Sequence, residues 1–310
     1  MHRLCPMVWV SIGTTRPALI SAQGRGFRPR RRSSELQPLN CDSADTPRLS
    51  PNLIRAEVVR LALFGRSLPT VGDTVRWGDV TRRAAMSRYG RLNGRRVSPA
   101  LSGKDAAGRP LRGHRHTFYL PTDDDGDGCL DHLTLATPAG LDAAELASVA
   151  SIDGLNPGGG QPSVRASVAA IGAAADFRDA APILGVSWRW RSLTPYILPR
   201  HTRFRGPRDA NGLRQMVDGP EDQVVREVAT RWPDGPGLIR VHRIDPGEPI
   251  LPMRAGGGEG LPPFAFSRQR GSGSNGGGAF NFILEWPEPV LGPIALGFGC
   301  HYGLGLFVPA

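Results

Sequence analysis

Three stretches of the 310-residue sequence combine residue types that can do chemistry. The first is His114-Arg115-His116, preceded by Lys104, the only lysine in the chain. Imidazoles titrate near neutral pH, so they can move protons or ligate metals. With His132 on the next strand, the H-x-H pair forms a candidate three-histidine zinc set. The second stretch is Asp123, Asp125, Asp127, Gly128 and Asp131. It matches the opening D-x-D-x-D-G of a calcium loop, but the twelfth position is Thr134 where a bidentate Glu is expected. A solvated hairpin loop closed by Asp-Gly turns is the other reading. The third is the glycine-rich ending, with Gly297, Gly299, Gly303 and Gly305 around His301 and Tyr302. Glycines so spaced let a backbone approach a phosphodiester and offer it N–H groups. They equally suit a β-bulge or a tight turn. No G-K-[ST] follows, so this is not a P-loop.

The elements that must position these residues follow from periodicity. Leu53–Arg66 reads as a strand, and Trp77–Tyr89 carries a helical stripe of Val80, Ala84, Ala85 and Tyr89. Gly113–Leu120 and Leu130–Thr137 read as short strands around the aspartate-rich turn. Alternation along the first would put His114, His116, Phe118 and Leu120 on one face, the core side. His132 would face away from the core, which speaks against the zinc set. Ala143–Ile152 reads as a helix and Val164–Ala174 as a strand. The order is β-α-β-β-α-β, the ferredoxin-like unit.

The second half repeats the theme with a strand over Ile183–Leu198 and a helix over Pro220–Trp232. Strands follow at Leu238–Ile244, Ala279–Trp286 and Gly303–Val308, with a glycine-rich loop at Gly256–Gly278. The expected fold is therefore α+β, with tandem ferredoxin-like (RRM-like) βαββαβ units and a C-terminal glycine-rich loop. The expected units are residues 53–178 and 179–310. Residues 1–52 show no periodicity and read as disordered, or as the remnant of a longer N-terminal region.

Composition narrows the class. The chain is 40% hydrophobic and 21% charged, enough apolar material for real cores. Forty glycines and 29 prolines favour short elements and exclude a coiled coil. No apolar run approaches the ~18 residues of a membrane span. A net charge of +10, almost all of it arginine, permits nucleic acid as a partner, although a GC-rich coding sequence would give the same arginine bias. Cys5, Cys41, Cys129 and Cys300 are scattered without a C-x-x-C pair, which fits a reducing cytoplasm better than a disulfide framework.

The glycine-rich ending resembles that of the CRISPR-associated repeat-associated RNA-binding proteins. SGKDAAGRPLRGHRHTFYLPTDDDGDGCLDHLTLATPAGL, WRWRSLTPYILPRH, DGPEDQVVREV and PEPVLGPIALGFGCHYGLGLF look like the fusion subunit of type I-U (I-G) CRISPR systems. That family joins a Cas-five-like part to a Cas-six-like repeat-cleaving ribonuclease. The resemblance spans roughly residues 53–310, and the family is longer at its N-terminus, so most of the Cas-five-like half is expected to be missing here.

The resemblance implies metal-independent cleavage of precursor CRISPR RNA, with no cofactor, inside a complex with other effector subunits. In that reaction the ribose 2′-hydroxyl attacks the adjacent phosphate and leaves a cyclic phosphate and a 5′-hydroxyl. Histidine suits either proton role, and Lys or Arg suits charge stabilisation. The catalytic candidates are His116, His114 and Lys104, with His201 as a second choice. Expected RNA contacts are Arg115, Arg200, Arg268, Arg270, Gly297, Gly299, His301, Gly303 and Gly305. Two other readings are a truncated, non-catalytic RNA-binding subunit and, more remotely, a histidine-zinc hydrolase.

Overall fold

The computed structural model describes residues 56–208, 210, 212, 214–245 and 278–310. The expectations for residues 1–52 and for Arg268 and Arg270 therefore lie outside the described residues.

The first sheet is built from β1 (Ala56–Phe64), β2 (Phe118–Thr122), β3 (His132–Leu141), β4 (Gly154–Leu155) and β5 (Val164–Gly172). Its order is β2-β3-β1-β5-β4, with every neighbour antiparallel. Helices α1 (Thr74–Leu92) and α3 (Ala143–Ala150) follow β1 and β3, and the four-residue α2 (Pro99–Ser102) follows α1. Asp142 starts α3 with a capping box. Its side chain accepts the Glu145 N–H at 2.8 Å, and Glu145 accepts the Asp142 N–H at 2.9 Å. Such a cap is worth about 1 kcal/mol.

The first sheet is covered on both faces. Val59, Leu61, Tyr119, Leu133 and Leu135 share a core with Trp77, Val80 and Val149 of the helices. Val58, Phe118, Leu120 and Ala136 pack instead against Phe177, Ile183, Leu184, Ala295, Cys300 and Leu306. Every residue of β2 is buried as a result.

Two corrections to the sequence reading follow. The strand expected from Gly113 begins only at Phe118, because Gly113 (φ +83°) and His114 (φ +51°) are left-handed and turn the chain. The alternation argument therefore does not reach the histidines. Conversely, β3 runs on through Pro138. Its register slips between Val58 and Ala56, so Pro138 lies in a bulge that needs no ladder N–H.

The second sheet has β6 (Val186–Ser192), β10 (Arg240–Ile244), β11 (Ala279–Leu291) and β12 (Phe307–Pro309) in the order β10-β11-β6-β12. Strand β7 (Tyr196–Ile197) also pairs with β11. The strand expected over Ile183–Leu198 is thus broken. Helix α4 (Pro220–Arg231) places Val224 and Val228 against Trp190, Phe282, Leu284 and Phe307. Strands β8 (Arg203–Arg208) and β9 (Arg214–Val217) form a separate exposed hairpin.

Numbered within each half, the four main strands of both sheets run 2-3-1-4. The second half departs from the expected βαββαβ pattern by the added β7 and β8–β9 hairpin and by the absence of a second helix among the described residues. Where its second helix would stand, Gly292–Leu306 forms an irregular segment containing only the 3-10 turn Cys300–Tyr302. That substitution delivers His301.

Candidate functional site

Three histidine rings converge at the start of β2, those of the neighbouring His114 and His116 and that of the distant His301. His301 is sandwiched between His116, at 4.0 Å between ring centres and 6° between planes, and Phe118, at 3.9 Å. Its Nδ1 lies 3.2 Å from the Thr117 carbonyl, and its Nε2 lies 2.9 Å from Nδ1 of His114. A carbonyl can only accept, so His301 Nδ1 carries the proton. His301 Nε2 then accepts the N–H of His114 Nδ1. This chain of bonds leaves Nε2 of His114 as a lone-pair nitrogen.

Each ring is positioned by local backbone chemistry. Ser98 caps α2 by accepting the Leu101 N–H at 3.0 Å, and Gly103 ends it at φ +71°. A Cβ on Gly103 would lie 2.8 Å from the His116 ring, so only glycine lets that ring lie flat there. The Thr117 N–H donates to the Ala100 carbonyl at 3.0 Å and ties the histidine turn to α2. The His301 turn seats on α1 at Gly78, where an added Cβ would meet the Tyr302 Cα at 2.9 Å.

Two clefts adjoin the stack and share no lining residue. One, of about 260 Å³, is lined by Arg82, Ser102, Gly103, Lys104, His116, His301 and Tyr302, among others. Lys104 is exposed at its rim, on a loop held by Asp105, which accepts the N–H groups of Ala107 and Arg109 at 2.9 Å. Arg82 donates to the Ser102 carbonyl at 2.8 Å. The other cleft, of about 380 Å³, is lined by His114, Arg115, Phe118 and Arg231, among others.

Burial and nearby cations keep the imidazoles neutral. Burial, with Arg231 in support, lowers His114 to about 4. His116 is also lowered to about 4, by burial first and then by His114, Arg82 and Arg231. Burial and the neighbouring His116 lower His301 to about 2. Behind the stack, buried Arg231 pairs with Glu227 and donates to Cys300 Sγ at 3.2 Å.

These shifts have a measurable consequence. Unfolded histidines titrate near 6.5 and the folded ones near 4 or below. Between about pH 4 and 6.5 the unfolded chain therefore binds more protons, and stability rises with pH across that window. The thermal midpoint is expected to fall as pH drops from 6.5 to 4. His301→Phe, which keeps a ring in the sandwich, should flatten that dependence. A midpoint independent of pH over this range would contradict the assigned protonation states.

The other sequence candidates are placed differently. His201 is exposed ahead of β8 and does not line the histidine cleft. The backbone of Arg200 is bound to Gln223, and Arg200 lines neither cleft. His132 pairs across the sheet with Thr122, at the far end of β2, and bonds to Asp131 at 2.9 Å. The zinc set His114, His116 and His132 is thus not assembled. A closer potential ligand group is His114, Cys300 and His301, with ligand atoms within 4.8 Å of one another.

The aspartate loop closes on its own amides. Asp123 accepts from Gly126 at 2.7 Å and Gly128 at 2.8 Å, and oxygens of Asp123, Asp125 and Asp127 gather within 4.8 Å. Asp131 is drawn off to the Asp124 N–H and His132.

The glycine-rich ending requires a correction. Gly297 donates its N–H to the Glu227 carboxylate at 2.9 Å, Gly305 to the Pro195 carbonyl at 2.9 Å, and Gly303 to the Cys300 carbonyl at 3.4 Å. All three are buried, and Gly299 is half-buried. Their amides are used inside the protein, so they do not form an open nest for a phosphodiester. What the loop presents is the side chain of His301. Arg82 and Arg231 were missed in sequence because nothing distinguishes them among so many arginines.

No protein-family model matches the sequence, and no curated protein matches it. Among solved structures the chain is similar to a Cas6 product complex, with a TM-score of 0.40 and 15% identity, covering 82% of this chain and 100% of that one. It is similar to an RAMP protein binding different RNA substrates, at TM-score 0.36 and 12% identity over 81% and 97% of the two chains. A CRISPR-associated protein Cas6 gives TM-score 0.34 and 6% identity over 82% and 98%. Similarity at this level assigns the chain to no family. Among the described residues no helix is long and apolar enough to cross a membrane.

Proposed function

We propose that this chain binds CRISPR repeat RNA and cleaves it at the histidine stack by metal-independent attack of a ribose 2′-hydroxyl. One observation carries the reading. His114, His116 and His301 meet beside Lys104, Arg82 and Tyr302, although His114 and His301 are 187 positions apart. The sequence resemblance to the type I-U (I-G) fusion subunit supplies the substrate class, and a place among effector subunits belongs to the same proposal.

The chemistry balances without water or metal. The 2′-oxygen bonds to phosphorus, its proton passes to Nε2 of His114, and the bond from phosphorus to the 5′-oxygen breaks. His116 gives its proton to the departing oxygen. Lys104 and Arg82 face the charge that builds on the phosphorane. His301 positions His114 by fixing its tautomer. In the free protein His116 is neutral at pH 7, but a bound phosphodiester places negative charge beside it and favours the imidazolium. Substrate thus arms the acid.

Cleavage of a repeat RNA should persist in EDTA and leave a cyclic phosphate and a 5′-hydroxyl. Activity that appears only on adding zinc would overturn the reading in favour of a metal hydrolase.

A further inference from the structure

The larger cleft shares only His114 with the chemistry above, and its other lining residues have no part in it. Its volume of about 380 Å³ lies within the range of small-ligand sites. It opens beside His114, and its lining includes Glu57, Arg115, Phe118, Arg231 and Trp232. The polarity of these groups is ordered. Trp232 is 40% exposed at the end of α4 and lines the cleft. Arg115 is exposed at the mouth, and its guanidinium has no hydrogen-bond partner among the described residues. Arg231 also lines the cleft, with its guanidinium paired to Glu227. Glu57 is half-buried, and one of its oxygens accepts the Ala174 N–H at 3.0 Å.

An aromatic plane, a free guanidinium at the rim and a carboxylate inside match the parts of a nucleotide. A base stacks on an aromatic face. A phosphate takes the guanidinium. An exocyclic amine can donate to the carboxylate, whereas a second phosphate there would be repelled. We infer that this cleft holds one unpaired nucleotide of the RNA, next to the nucleotide whose phosphate lies over the histidines. Its base stacks on Trp232, its phosphate faces Arg115, and Glu57 favours adenine, cytosine or guanine over uracil. The inference rests on the RNA-cleavage reading for the identity of the ligand, and it adds a binding pocket to it.

The test uses the full chain and a repeat RNA with a 2′-deoxy scissile nucleotide, so that binding is read without cleavage. Single abasic substitutions are placed at each of the nucleotides flanking the scissile bond. Trp232→Ala should weaken binding about 5–150-fold, the range for loss of one stacked base. Trp232→Phe should recover most of it. One abasic position should cost a similar factor in the wild type and nothing further in Trp232→Ala. Arg115→Ala, at an exposed site that leaves folding intact, should weaken binding and reduce its salt dependence. Additive losses at every position, or binding of Trp232→Ala within twofold of wild type, would overturn the pocket. Because the RNA is not cleaved, failed catalysis by the wild type would sink the ribonuclease reading without altering this result.

Discussion

His116→Ala and His114→Ala are each expected to slow single-turnover cleavage of repeat RNA by about 10²–10⁴-fold, the usual contribution of a proton-transfer group. Repeat affinity should change only a few-fold, because neither neutral imidazole supplies charge to the free site. The rings of His114 and His116 contact the stack and lie outside the main apolar cores, so both variants should remain folded. His201→Ala should cleave like the wild type, since His201 lies outside the cleft. Rates within tenfold of wild type for both His114→Ala and His116→Ala would remove the stack from the chemistry. A severe loss in His201→Ala would move the site to the second half.

The second large effect is on folding. Gly305 has φ +55°, and an added Cβ would lie 1.8 Å from the Leu296 carbonyl oxygen. That carbonyl cannot retreat cheaply. The Leu296 N–H donates to the Gly305 carbonyl at 2.8 Å, and the Leu296 side chain is fully buried beside Trp190, Tyr196 and Phe307. Gly305→Ala should therefore cost well beyond the ~1–2 kcal/mol of a left-handed non-glycine residue. A loss of about 3 kcal/mol would lower the thermal midpoint by roughly 6–12 °C in a chain of this size. Gly108→Ala is the control, because Gly108 has φ +77° with nothing within 4 Å of the added atom. Equal losses in the two variants would show that the loop is not packed as described.

The elements legible in sequence were those whose ends carry chemical signals. Helix α4 was expected over Pro220–Trp232 and is found over Pro220–Arg231, because Pro220, Glu221 and Asp222 mark its first turn and Val224 and Val228 its buried stripe. Helix α1 was read one turn short at each end. The β8–β9 hairpin was missed because Arg203–Arg208 has no alternation of apolar and polar residues. The strand assigned to Gly113–Leu120 shows a different failure. A strand buried on both faces has no alternation to read, and two left-handed residues ahead of it break the period.

The candidate site was half legible. His114, His116 and Lys104 fall close together in sequence and share one corner of the fold. His301 was assigned to RNA contact through a glycine nest, yet its ring lies inside the stack and its neighbouring glycines face inward. No local pattern reports this. The approach depends on Gly78 and Gly103, two glycines in unremarkable sequence whose missing side chains make room for Tyr302 and His116.

The most direct test of the central claim is a single-atom change in the substrate. A repeat RNA lacking only the 2′-hydroxyl at the scissile nucleotide should bind the wild-type chain normally and remain uncut in EDTA, while the all-ribose RNA is cleaved beside it. The nucleophile would be absent and everything else in place. Cleavage of the 2′-deoxy substrate at the same bond would contradict the account, since the attacking oxygen would then have to come from water.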